Sequence, residues 1–165
     1  MTRRPIPWLT IAVLAVTAAV TGAQTFAPDL LSALRRQPSM IGQGEFWRFG
    51  TTWLVHDEGL KQIGINFPML ALAGTLAEWA FERWVWVAAF VLAGLAGEVA
   101  GLFWQPVGAG NSVAVLGLVG LVAGWLSHSP GRPAVQRWGM TVSLVILAAW
   151  LIFSHDIHGP ALAMG

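Results

Sequence analysis

The sequence predicts an all-α bundle that crosses a membrane six times, and three observations carry that expectation. Only 10% of the residues are charged and 56% are hydrophobic, whereas a soluble globule covers its surface with about a quarter of its residues charged. The apolar residues fall in long runs, and a bilayer crossing needs roughly 20 of them. Ten Trp and no Tyr supply a ring that anchors helix ends at the membrane interface. The net charge of +1 gives no reason to expect nucleic acid as a partner. With no cysteine there is no disulfide framework, thiolate nucleophile or Cys-ligated metal.

The elements follow in order. Residues 7–23 form the first span, longer than a signal-peptide core and followed by further spans, so it is expected to be retained. A long interfacial loop, 24–59, carries Asp29, Arg35, Arg36, Glu45, Arg48, Asp57 and Glu58. Its aromatic second half suits short helices lying in the interface. The second span, 60–79, contains Pro68, which a membrane helix tolerates where neighbours satisfy the freed carbonyl. The third is 84–104, with Gln105-Pro106-Val107-Gly108 as its outlet. The fourth is 110–126, the fifth 138–153 and the sixth 156–165. At ~1.5 Å per residue the sixth is half a span, so either it is cut short or it ends within the bilayer. All of 1–165 is expected to form a single multi-pass domain in the lipid bilayer of the cell membrane. Arg3, Arg4, Arg83, Arg132 and Arg137 flank one side, against Arg35, Arg36, Arg48 and Lys61 mostly within one long loop. That bias puts the N-terminus in the cytoplasm.

Parity then collects polar groups. Spans two, four and six enter from one face. Gln62 and Asn66, Ser112 and His158 all lie in or near the first turns of these spans, within about 10 Å of that face. Intramembrane polar groups are costly and point into the bundle or a wet cavity. On the fourth span Gly110, Ala114, Gly117, Gly120 and Gly124 form a small-residue stripe, and the sixth shows His158, Ala161 and Gly165 at similar spacing. Such stripes let helix backbones approach closely, which is expected to bring Ser112 and His158 within hydrogen-bond reach.

These residues resemble the rhomboid family of intramembrane serine proteases, whose fold is a six-helix bundle with a Ser–His dyad. The family's Gly-x-Ser-Gly at the start of the fourth helix is matched by Gly110-Asn111-Ser112-Val113, and its following Gly-Leu by Gly117-Leu118. The family His that opens the sixth helix before small residues is matched by His158, Ala161 and Gly165, and not by His155. Glu45-Phe46-Trp47-Arg48 matches its Glu-x-Trp-Arg, and His56 its loop histidine. Asn66, Gly74 and Glu78 match the second helix, where Gln62 replaces the family His. The resemblance implies that the Ser112 N–H and the Asn66 side chain surround the oxyanion, with the Gln62 amide donating in place of the missing His. Val113, standing where the family has Gly, is expected to narrow the site. The short sixth helix is expected to hold His158 less firmly.

Alone, a Ser near a Gly-rich helix start reads as a cap or packing residue. Paired with His158 at matched depth, Ser112 reads as a nucleophile beside its base. Asp156, two residues before His158, would face away on a helix and is not counted in the site. Gln62 and Asn66, four apart, share a helix face, either as oxyanion donors or as interhelical hydrogen-bonding groups. Glu45, Trp47, Arg48 and His56 are expected to organise the long loop. Gly110, Gly117, Ala161 and Gly165 are expected to pack helices together. Glu98, among Gly94, Gly97 and Gly101, is read as structural. His56, Asp57, Glu58, His155 and His158 lack metal-site spacing, so neither metal nor cofactor is expected.

The implied activity is cleavage of single-pass membrane proteins near the outer face, at helices that unwind easily and carry small residues. The rival reading is a catalytically inactive rhomboid-like protein that binds or escorts transmembrane helices. A transporter finds no inverted repeat in its favour.

Overall fold

The first span becomes α1, Trp8–Phe26, and the long loop folds into α2, Asp29–Leu34, α3, Pro38–Ile41, α4, Arg48–Thr51, and one 3₁₀ turn, Thr52–Leu54. The remaining spans become α5, Leu60–Ala80, α6, Arg83–Trp104, α7, Ser112–His128, α8, Ala134–Phe153, and α9, His158–Met164. The structure is a computed structural model and describes residues 5–129, 131 and 133–165. Three of the charges that set the orientation bias, Arg3, Arg4 and Arg132, lie outside the described residues. The architecture is the expected all-α membrane bundle. By length and composition α1, α6 and α8 can each cross a bilayer, and α7 is a shorter apolar helix of 17 residues.

Some boundaries move for identifiable reasons. The fourth helix opens at Ser112 rather than 110, because Gly110 holds φ +138° and cannot be helical. The fifth starts at Ala134, directly after Pro133, rather than at 138, since a proline readily precedes a first turn. The sixth starts at His158 rather than 156. Pro160 has no N–H to give, and its ring would clash with the carbonyl of Asp156 four residues back, so the helix must begin beyond it.

At the centre stands α7, packed against α5, α6, α8 and α9. Its Ala114, Val115, Leu118 and Val122 interlock with Leu70, Ala73 and Ala77 of α5 and Trp86, Ala89 and Phe90 of α6. The indole N–H of buried Trp86 donates to the Gly74 carbonyl at 3.0 Å, satisfying a polar atom that lipid could not. By contrast α8 buries only Ala148. Its Val142, Val145, Ile146 and Trp150 are exposed, as suits a helix facing lipid.

The small-residue stripe on α7 does not face one neighbour as expected. A Cβ at Gly117 would run into Ala93 and the Ala89 carbonyl of α6, whereas one at Gly120 would meet the Leu162 carbonyl of α9 at 2.6 Å. Gly124 has open space, and Gly110 precedes the helix. Alternate glycines thus admit two different helices. Gly165 lies against the Gly117 backbone, and Ala161 is fully buried with Ala93, Val113 and Ile157 in a second core between α6, α7 and α9.

Two carboxylates tie the bundle together. Glu78, near the end of α5, accepts from the Leu9 and Thr10 backbone N–H groups and the Thr10 hydroxyl, each at 3.0 Å. These are orphan donors of the first turn of α1, where the helix dipole favours an anion. Glu98 of α6 pairs with Arg36 of the long loop at 2.6 Å, both side chains 2% exposed. Arg36, a charge of the long loop, is therefore buried, and it is the partner that the Glu98 carboxylate needs.

Candidate active site

Ser112 is the first residue of α7 and His158 the first of α9. The Ser112 Oγ lies 2.8 Å from His158 Nε2. Both residues are half-buried, at the face where α5, α7 and α9 begin and α1 ends. A hydroxyl and an imidazole from helices whose starts lie 46 residues apart meet because α6, α7 and α9 share the Val113, Ile157 and Ala161 core just beneath them.

The turn that carries Ser112 is held from several sides. Gly108 exchanges backbone hydrogen bonds with Arg36 at 3.0 and 3.4 Å, and its carbonyl also accepts from the Thr52 hydroxyl at 3.1 Å. The Ala109 N–H donates to Asp57 Oδ2 at 3.1 Å, and the Ala109 carbonyl accepts from Gln62 Nε2 at 2.7 Å. The Gly110 N–H donates to the Thr52 carbonyl at 2.9 Å. Gly110 is the position that only glycine fits, because its φ is positive and a Cβ there would strike the Gln62 amide.

Gln62 therefore holds the turn with one of its amide hydrogens rather than standing free. Asn66 is buried, and its Nδ2 has no protein hydrogen-bond partner. Asn111, which the sequence reading passed over, is fully buried with an unpartnered Nδ2, while its Oδ1 lies 3.4 Å from His56 Nε2. A native buried amide without a partner calls for an explanation, and a donor kept for a bound group is one.

Val113 does not narrow the site. Its side chain turns inward between α6 and α9 and fills the space left by Gly97, where a Cβ would sit 2.7 Å from Val113 Cγ1. The bulk after the nucleophile is thus absorbed by a missing Cβ opposite.

Of the four loop residues, Glu45 and Arg48 contact each other and His56 contacts α1. Arg48 donates through Nε to Glu45 at 2.6 Å and through Nη1 to the Ser32 and Arg35 carbonyls, gathering α2 and α4. Trp47 is exposed at the start of α4. His56 is fully buried, with Nδ1 3.0 Å from the Thr21 hydroxyl and its backbone paired to the Gln24 amide. Burial pushes its pKa below the ordinary histidine range, opposed by the Asn111 contact and by the charge on Asp57. His155 lies instead against Trp104, with ring centroids 5.5 Å apart.

Asp156 overturns the expectation that it faces away. Its Oδ1 lies 2.6 Å from His158 Nδ1 and accepts the His158 backbone N–H at 2.9 Å. The helical projection failed because Asp156 is not helical. It precedes α9, where an aspartate folds back onto the residue two ahead.

Two comparisons with known sequences bear on the chain as a whole. The sequence profile of the rhomboid domain matches residues 43–159. The chain is also similar to the rhomboid protease GluP of Bacillus subtilis (strain 168), at 28% identity over 129 residues. That match takes in 78% of this chain and 25% of the relative, so the chain spans about a quarter of the relative's length.

Proposed function

The chain belongs to the rhomboid family, and on that premise we propose that it is an intramembrane serine endopeptidase acting through Ser112 and His158. The observation that carries this is the 2.8 Å contact between Ser112 Oγ and His158 Nε2 at the end of the bundle where α5, α7 and α9 begin. A nucleophilic hydroxyl needs a neighbouring base within that reach.

In the reaction His158 takes the Ser112 proton as Oγ attacks a peptide carbonyl. The Ser112 N–H is an orphan donor at the start of α7, and the helix dipole there favours negative charge. Together with the unpartnered Asn66 amide, it holds the oxyanion. Donors of this kind are worth roughly 100- to 1000-fold in rate. His158 returns the proton to the leaving amine, and water then releases the acyl group. No metal or cofactor is needed for these steps. Residues 1–165 act as one membrane domain. The substrates are single-pass membrane proteins, cut near the outer face at helices that unwind readily, with the N-terminus of the enzyme in the cytoplasm of a cell-membrane protein.

One observation favours the inactive, helix-binding alternative: Gln62 replaces the family His and its amide is engaged by the Ala109 carbonyl. The two readings separate in one experiment. The full chain, in liposomes, is exposed to a fluorophosphonate serine probe and to a single-pass transmembrane reporter. Wild type labels and cleaves, while Ser112→Ala and His158→Ala do neither. A folded wild type that does neither supports the binder, and labelling that survives in Ser112→Ala assigns the chemistry to another serine.

A further inference from the structure

We infer that Asp156 is a positioning residue for His158, making the site a Ser112–His158–Asp156 relay rather than a dyad. The inference rests on the serine-protease reading above and adds a residue to it.

The three side chains stand in line through the imidazole. Asp156 Oδ1 is 2.6 Å from Nδ1, and Ser112 Oγ is 2.8 Å from Nε2. A carboxylate only accepts hydrogen bonds, so the short contact at Nδ1 requires the ring proton to sit there. That fixes the tautomer in which Nε2 presents its lone pair to the Ser112 hydroxyl, as a general base must.

The backbone holds Asp156 in place independently of the ring. After α8 ends at Phe153, the His155 N–H donates to the Ile152 carbonyl at 3.0 Å and the Asp156 N–H to the Leu151 carbonyl at 2.9 Å. His155 is left-handed at φ +56°. This crossed pair of bonds around a left-handed residue is a Schellman cap. It delivers Asp156 at a fixed point after α8, and the Asp156 carbonyl then accepts the Gly159 N–H at 3.1 Å. With both its backbone groups bonded, the carboxylate has a defined origin from which to reach the ring. A left-handed non-glycine residue is costly and persists where the surroundings require it.

When Ser112 loses its proton to Nε2, the Nδ1 proton stays on the ring. Asp156 keeps its charge opposite the imidazolium and does not itself become protonated. On collapse of the tetrahedral intermediate the Nε2 proton leaves with the amine. The His158 and Asp156 side chains are 30% and 33% exposed, so solvent screens the pair more than in a buried triad, and the effect falls toward the lower end of the triad range.

The test uses Asp156→Asn in the full chain. Both His158 N–H groups meet the same carboxylate oxygen, Oδ1, so the Asn amide oxygen in its place still accepts both and keeps the start of α9, while the negative charge opposite the imidazolium is gone. Expected are a fall in kcat for reporter cleavage of about 10- to 100-fold, an unchanged KM, and an equal slowing of probe labelling. Asp156→Glu recovers part of the loss. In protein labelled with ¹⁵N-histidine, the downfield Nδ1–H proton signal of wild type moves upfield in Asp156→Asn. Asp156→Asn within about threefold of wild type in kcat, with the Nδ1–H signal unmoved, overturns the inference while Ser112→Ala and His158→Ala remain inactive. A wild type that neither labels nor cleaves overturns the protease reading and this inference with it.

Discussion

Breaking the Arg36–Glu98 pair is the sharpest test of how the long loop is fastened to the bundle. The guanidinium and carboxylate are 2.6 Å apart with 2% side-chain exposure each, and Arg36 Nη2 also donates to the Gln105 carbonyl at 2.7 Å. Removing either partner leaves an uncompensated buried charge, at about 3–5 kcal/mol. Replacing both, as Arg36→Met with Glu98→Leu, removes both charges together. What remains is the lost bond to the Gln105 carbonyl, about 1.5–3 kcal/mol for a charged donor. Independent losses would sum to about 6–10 kcal/mol, so the cycle should return a coupling of at least about 3 kcal/mol. Reversible denaturant unfolding of the four proteins in one mixed-micelle system measures it. A coupling below about 1 kcal/mol, or single variants as stable as wild type, would refute the buried-pair reasoning. Because Arg36 also bonds Gly108 through its backbone, the single variants should slow serine labelling at temperatures where the bundle is still folded.

His56 gives a pH dependence of definite sign. Its folded pKa is depressed by burial, so the unfolded chain binds the extra proton first as pH falls. Its contribution is full above about pH 6.5 and declines as pH drops from there toward the folded value, by at most about 1.4 kcal/mol per unit. His56→Gln should flatten that slope by up to one proton in unfolding curves taken between about pH 5 and 7; an unchanged slope assigns the titration elsewhere. Gly110→Ala should cost about 1–3 kcal/mol, since any L side chain at φ +138° is strained and its Cβ displaces the Gln62 amide. Probe labelling should fall further than that loss of stability explains, and labelling at the wild-type rate would show that the turn tolerates the shift.

Much of the fold was legible because the bilayer imposes simple rules on a sequence. Runs of about 20 apolar residues have few alternatives to helices, and each expected span has its helix. Parity then carried the meeting of Ser112 with His158, since residues opening the fourth and sixth helices share a face whatever the packing details. What escaped was the destination of loop charges. Arg36 sits beside Arg35 in a polar stretch, and nothing local distinguishes the one that enters the bundle. Only Glu98, alone among glycines in the middle of α6, signals that some cation must come to it. Val113 was misjudged for the same reason, because the space that accepts it is made by Gly97 on another helix.

Asp156 is the instructive case, since the signal that would have placed it was present four residues away. Counting two residues back along a helix puts a side chain on the opposite face, and that arithmetic assumes a helix. Pro160 forbids one there, because it can occupy only the first turn, which leaves Asp156 in the entering turn where Asp prefers to bond the backbone two residues ahead. The same proline that shortens α9 thereby frees the carboxylate to reach Nδ1. His158 is held by a hydrogen bond at each ring nitrogen. On this reasoning Pro160→Ala should let α9 extend backward over Asp156 and draw the carboxylate away from the ring.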